Sequence, residues 1–239
     1  MRPASATLRT LPLLCLGLAG CSGLFQSKEK PDQIYYLRAP AARTAGTNSQ
    51  AAAPAATATP AIPASVRVMR PVAGPGLDTS RIMLVQADRR MNFFSGSRWP
   101  ATAPEVIEAL AVQTLRASGA WASVQGSASP FPADYLLQVH VQRFEADYGE
   151  GAGAPVVHVV LDCIVGRREG REMLASFTAA GSAAALANRL GEVVNAFEQA
   201  TGVALEALSQ RTEQAVRADV QRGAQNADKP LASRSWQSQ

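Results

Sequence analysis

The sequence is poor in the residues that carry most enzyme chemistry. Its 239 residues include three cysteines and two histidines, and only 18% are charged. No serine stands in a G-x-S-x-G pattern, and neither a P-loop nor a C-x-x-C pair occurs. The glycine-rich stretch 149–153 leads into a strand pattern, whereas a phosphate-binding loop needs the amino terminus of a helix behind it. We therefore expect no catalytic residues, no cofactor and no enzymatic activity.

Long apolar runs and a strong charge excess are also missing. No stretch beyond residue 20 approaches eighteen consecutive apolar residues, so no membrane-spanning helix is predicted. The formal net charge of +4 is too small for a nucleic-acid-binding surface. What is present is 47% hydrophobic residues, enough to build the core of one domain with tails.

The first residues have the pattern of a secretory leader. Arg2 and Arg9 accompany an apolar run, 11–19, that is about half as long as a membrane-spanning helix. Leu18-Ala19-Gly20-Cys21 resembles a bacterial lipoprotein signal, which implies removal of residues 1–20 and lipidation of Cys21. An ordinary secretory signal with a chance cysteine is the alternative.

Processing at Cys21 changes the properties of the mature chain. The net charge falls from +4 to +2, because two arginines and no acids leave with the leader. Cys15 also leaves and Cys21 carries lipid, so Cys163 has no partner for an intramolecular disulfide. Ser22 after the cysteine, rather than an aspartate, is typical of lipoproteins exported to the periplasmic face of the outer membrane.

Residues 21–64 are predicted to form a lipidated tether. Within it, residues 34–37 read Ile-Tyr-Tyr-Leu and favour a short strand. From Ala39 to Ala64 the composition falls to alanine, threonine and proline, which favours disorder. Two arrangements remain open: the short strand joins the sheet and the linker is a loop back into it, or the linker is only tether.

Residues 65–209 are predicted to form a single α+β domain. We expect a mixed, mostly antiparallel sheet of five to seven strands, packed by two main helices. The first helix begins near Thr102 and ends at Gly119, and the second runs from about Asn188 to Ser209 with an apolar stripe that includes Phe197. Residues 210–239 are predicted to be a polar, largely disordered tail, and a frayed continuation of the second helix as far as Gly223 is the alternative.

Three segments in the second half of the domain predict an antiparallel meander with one buried face. Odd positions are apolar from Tyr135 to Val141 and from Val157 to Val165, which buries them and the Cys163 thiol. The opposite face carries polar residues that we predict to contact a partner: Gln138, His140, Gln142, His158 and Asp162. His140 and His158 are expected to be near neighbours. Two imidazoles and the Asp162 carboxylate are a set that can bind zinc, but such residues are more often the solvated or partner-facing side of a half-buried sheet. Two histidines and one apolar-facing cysteine are too few for a closed zinc site, so no metal is predicted.

Several short motifs follow one another in a recognisable order. They are Pro75-Gly76-Leu77-Asp78, Arg81-Ile82, Arg98-Trp99, residues 115–121 (LRASGAW), Asp134-Tyr135-Leu136-Leu137 and Arg143-Phe144-Glu145. Together with Tyr35-Tyr36-Leu37 and the lipid-attachment motif, they resemble the ABC-type transport auxiliary lipoproteins, the PqiC-like family. The resemblance covers residues 18–38 and 65–209.

This resemblance implies a function in lipid transport across the Gram-negative envelope. The expected partners are a periplasmic MCE-domain protein and, through it, an ABC permease and ATPase. The resemblance supplies no catalytic residues. The polar sheet face is then expected to contact the MCE partner or to join copies of the chain in a ring.

The layout of helices and meander is also similar to the amino-terminal domain of TolB, and to outer-membrane lipoproteins that activate peptidoglycan synthases. Those activators also use a disordered tether. A lipoprotein that regulates a synthase is therefore the alternative function, and an enzyme is a third class with less support.

Overall fold

The computed structural model describes residues 31–39, 61–150 and 153–227. The predicted signal peptide, Cys21, most of the linker and the last twelve residues lie outside this part of the chain. The strands are β1 (Gln33–Ile34), β2 (Ile62–Val68), β3 (Val72–Ala73), β4 (Arg81–Val85), β5 (Met91–Arg98), β6 (Trp121–Gln125), β7 (Tyr135–Asp147), β8 (Val156–Arg167) and β9 (Met173–Ala184). The helices are α1 (Ala103–Ala117) and α2 (Leu190–Ala227).

The fold is a single α+β domain organised around the 13-residue strand β7. One edge of β7 pairs with β8 along its whole length, and β8 pairs with β9, both antiparallel as the meander predicted. The other edge of β7 pairs in succession with β2, β3 and β4, all parallel. Strand β5 follows β4, and β6 lies beside β2.

Parallel pairing is more frequent than the sequence predicted. Among the described residues, five of the eight strand pairings are parallel, although the two longest pairings, β7–β8 and β8–β9, are antiparallel. These pairings join strands that are distant in the sequence, so the period-two pattern of each strand carries no information about its partner. The sheet has nine strands rather than five to seven, since it includes the two-residue strands β1 and β3.

The buried face of the sheet packs against both helices. The sheet contributes inward residues such as Leu137, Leu161 and Cys163, and α2 contributes Val193, Phe197 and Ala204. The odd positions predicted to be buried in β7 and β8 are buried. Helix α1 begins as predicted after Thr102, whose backbone N–H donates to the Glu105 carboxylate at 3.2 Å, and it ends before Gly119, whose φ is +66°.

A β-bulge at Gln142 interrupts the alternation of β7. Val141 is opposite Leu161, but Arg143 is opposite Val160, so one residue of β7 has no counterpart in β8. Beyond the bulge the inward positions are Phe144 and Ala146.

The segment after Pro31 joins the sheet. Strand β1 pairs in parallel with the end of β5, and the Tyr35 N–H donates to the Arg98 carbonyl at 2.9 Å. Leu37 is buried, and the Arg38 guanidinium lies 2.8 Å from the Glu198 carboxylate of α2. The first of the two arrangements left open by the sequence is therefore present, although the strand covers residues 33–34 rather than 34–37.

Helix α2 is longer than predicted. It continues beyond Ser209 to Ala227, so the expected disordered tail is wrong for residues 210–227 and the alternative, a continuation of the helix, is present. The reason is that Thr212, Val216 and Asp219 continue the buried stripe of the helix onto the sheet. Residues 228–239 lie outside the described part of the chain.

Candidate functional site

The candidate contact surface is the outer face, which we define as the side chains of β7, β8 and β9 that point away from the helices. All five of the predicted residues lie on it: Gln138, His140, Gln142, His158 and Asp162. Gln138 and Gln142 are exposed, and His140 and Asp162 are partly exposed. Exposed apolar side chains lie between them, including Val72 beside His140 and Ile164 beside Gln138. The outer face is therefore of mixed polarity.

A hydrogen-bonded cluster occupies the centre of the outer face. Asp162 is directly opposite His140, and its two carboxylate oxygens accept from Gln142 Nε2 at 2.8 Å and from Thr178 Oγ1 at 2.7 Å. Gln142 Nε2 also lies 3.1 Å from His140 Nδ1. Because these groups satisfy one another, the cluster fixes side-chain positions on the sheet and offers no activated nucleophile.

His158 lies away from this cluster, so the prediction that the two histidines are near neighbours is wrong. His158 is opposite Glu145, four residues along β8 from the partner of His140, a separation of about 13 Å at the rise of a strand. The register of β7 against β8 is fixed by the β7–β8 turn and by the bulge at Gln142. Neither feature could be predicted from the spacing of the two histidines in the sequence. Among the described residues no group of three potential ligands is placed to hold a metal ion.

The Cys163 thiol is on the buried face, as the alternation predicted. Burial, with a smaller contribution from the nearby charge of Asp162, raises its pKa to about 12. The thiol is therefore uncharged at neutral pH and shielded from reagents.

A second polar group, missed in the sequence, joins the far part of α2 to the sheet. Asp219 is buried, and its carboxylate accepts from Arg167 Nη2 at 2.6 Å and from Tyr135 Oη at 3.0 Å. Burial and then the hydrogen bond to Asp219 raise the pKa of Tyr135 to about 12. A signal was present: Asp219 continues the stripe formed by Leu208, Thr212 and Val216, where an acid needs a partner.

An open cleft of about 690 Å³ lies beside this group. It is bounded by the starts of β2 and β7, by the β8–β9 turn and by α2. Arg167 and Asp219 neutralise each other, and Asp134 lies next to Arg168, so the cleft wall has no strong excess of one charge. In the part of the chain that the structure describes, neither helix is long and apolar enough to cross a membrane.

Comparison with known families identifies the family of the chain. The model of the ABC-type transport auxiliary lipoprotein component family matches residues 49–202. The chain belongs to this family, and the resemblance found in its motifs is confirmed. The family is defined as a component of transport systems and is not a class of enzymes.

Solved structures confirm the fold. A DUF330-family protein from Xanthomonas campestris is 23% identical, with a TM-score of 0.66 over 79% of this chain and 99% of that one. An uncharacterised protein, 13% identical, has a TM-score of 0.54 over 76% of this chain and 99% of that one. No curated protein matches the chain.

Proposed function

We propose that the chain is a lipid-anchored periplasmic subunit of an MCE/ABC-type lipid transport system, and that it docks the periplasmic lipid conduit at the outer membrane. The observation that carries this proposal is the match to the auxiliary lipoprotein family over residues 49–202. In this function the chain performs no chemical step. The energy comes from the ATPase of the system, and the chain supplies an anchor and a contact surface.

The anchor is Cys21. The leader, the small residues before the cysteine and Ser22 after it support lipidation and export to the outer membrane. Three acyl chains, at about 0.8 kcal/mol per buried methylene, would hold the mature protein on the membrane almost permanently.

The contact surface is the outer face. It is exposed among the described residues, it alternates polar and apolar side chains, and its central cluster is already ordered by hydrogen bonds. Protein contacts of moderate affinity have this mixed composition. Such a face would bind the MCE partner or a second copy of the chain.

The proposal is tested by adding charge to the outer face. Gln138 and Ile164 are opposite one another on neighbouring strands and form no part of the Asp162 cluster. The double substitution Gln138→Glu with Ile164→Glu should leave the thermal melt unchanged. It should weaken the affinity of the contact about tenfold, equivalent to 1.4 kcal/mol. The weaker contact should be seen as reduced capture of the MCE protein from crosslinked envelopes, or as a lower native mass.

The matched control is Gln113→Glu, which makes the same change at an exposed position of α1. It should behave as wild type. Full capture and unchanged mass with the double variant would show that the outer face is only solvated. Recovery of a peptidoglycan synthase in place of the MCE protein would favour the alternative function.

A further inference from the structure

Three segments meet at one end of the sheet, which we call the hairpin end. They are the β4–β5 tip (residues 86–90), the start of the β7–β8 turn at Tyr148 and the segment Leu186–Arg189 before α2. Tyr148 joins the other two, because its N–H donates to the Val85 carbonyl at 3.0 Å and its hydroxyl donates to Asn188 Oδ1 at 2.8 Å. The opposite end of the sheet contains the β8–β9 turn, the loop with Phe131 and the end of α2.

The direction of β1 relates the amino-terminal side of the domain to the hairpin end. Strand β5 starts at the β4–β5 tip and runs away from it, and β1 runs parallel to β5. The first residue of β1, Gln33, therefore lies on the side of that strand that faces the hairpin end. Asp32, which lies 4.0 Å from Arg98, is eleven residues after Cys21, and eleven residues span at most about 40 Å.

The hairpin end also has surface chemistry suited to a lipid interface. Leu186 is 88% exposed, more than any other large apolar side chain in the described residues. The exposed cations Arg89 and Arg189 lie on the same end, and Arg189 has one distant partner, Glu192 at 3.8 Å. An exposed apolar side chain on the same end as exposed arginines matches a bilayer surface, where acyl chains lie beneath phosphates.

We propose that the hairpin end lies against the membrane, with Leu186 inserted at the boundary between headgroups and acyl chains. This inference rests on the proposed function, since it requires lipid on Cys21. It gives the domain a fixed orientation. The hairpin end faces lipid, whereas the opposite end, with Phe131 and the 690 Å³ cleft, faces the periplasm and its proteins.

Depth-dependent fluorescence quenching tests this orientation. Leu186→Cys in the full acylated chain is labelled with an environment-sensitive dye and reconstituted in phosphatidylethanolamine–phosphatidylglycerol vesicles that contain nitroxide-labelled lipid. Phe131→Cys is the matched position, because Phe131 is also apolar and 69% exposed but lies at the opposite end. Cys163 is buried and should take no label, which the chain without an added cysteine verifies.

We expect the dye at position 186 to lose most of its fluorescence to the nitroxide lipid and to shift to the blue, and the dye at position 131 to do neither. Equal quenching at both positions, stronger quenching at 131, or none at either would overturn the orientation. If the Leu186 variant fails to fold, Arg189→Cys takes its place, since that side chain is 77% exposed.

A separate measurement distinguishes failure of the anchor from failure of the orientation. Metabolic labelling with a fatty-acid probe should mark the wild-type chain and not Cys21→Ser. An unlabelled wild type would remove both the anchor and the inference that depends on it. A labelled chain whose position 186 stays unquenched would overturn the orientation alone and leave the proposed function standing.

Discussion

At the scale of single residues, Asp219 connects three elements. Its carboxylate binds Arg167 at the end of β8 and Tyr135 at the start of β7, while its backbone belongs to α2. Burial alone would raise its pKa. The hydrogen bonds from Arg167 and Tyr135, with the charges of Arg167 and Arg222, outweigh burial and lower the pKa. The folded state therefore favours the ionised carboxylate.

Asp219→Asn should destabilise the domain by about 1–3 kcal/mol at pH 7, because Arg167 and Tyr135 lose a charged acceptor. The measurement is urea unfolding of the variant and of wild type. Asp88→Asn is the control, since Asp88 pairs with Arg90 at the exposed β4–β5 tip and its loss should change stability little.

The effect of Asp219→Asn should depend on pH in a defined direction. A lowered pKa contributes stability above the unfolded value of about 3.9, and this contribution is lost as the pH falls through the lower folded value. The difference between wild type and variant should thus be full at pH 6–7 and shrink below about pH 4. A difference that stays constant down to pH 2 would mean that the carboxylate charge is not what stabilises this contact.

Residue positions could be predicted from the sequence only where a local period determines them. The buried odd positions of β7 and β8, including Cys163, follow from alternation and are buried. The relative position of His140 and His158 depends on a turn and on a one-residue bulge, so it could not be predicted. The buried position of Asp219 was not predicted, because the residues after Gln210 are mostly polar and the buried stripe of α2 continues among them.

At the scale of elements, the packing of α2 on β9 depends on one glycine. A Cβ built on Gly181 would lie 2.1 Å from the Ala200 carbonyl oxygen and 2.9 Å from the Ala204 nitrogen. These are backbone atoms of α2 and cannot move away as a flexible side chain would. Small residues precede α2 and lie along its buried face. They allow the helix to approach the sheet closely, a function that could not be predicted from the sequence.

Gly181→Ala should therefore destabilise the domain by about 1–3 kcal/mol or more, because the helix must move away from the strand. Gly191→Ala is the matched control, since a Cβ there meets nothing within 4 Å and alanine favours a helix. Thermal melts of the two variants should shift in opposite directions, or Gly191→Ala should stay at the wild-type midpoint. Equal midpoints for Gly181→Ala and wild type would show that α2 is not held this close to β9.

At the scale of the whole molecule, aromatic rings join the layers. The Phe197 ring of α2 lies 5.2 Å from Trp99, which follows β5, and 5.1 Å from Phe144 of β7, and Trp99 lies 5.7 Å from Phe144. All three side chains are almost completely buried. The apolar stripe predicted that Phe197 is in the core, but its ring partners come from distant parts of the chain and required the structure.

Phe197→Ala should consequently destabilise the domain by about 3–5 kcal/mol, since it removes a buried ring and leaves a cavity between α2 and the sheet. A domain with a total stability of about 5–15 kcal/mol would lose a large part of its free energy of unfolding.

The control is Phe131→Ala, which makes the same change at a 69% exposed position and should stay within about 0.5 kcal/mol of wild type. Urea unfolding of both variants compares them directly. Similar losses for the two would mean that the aromatic cluster does not join α2 to the sheet. A loss confined to Phe131→Ala would mean that the loop before β7 makes a structural contact.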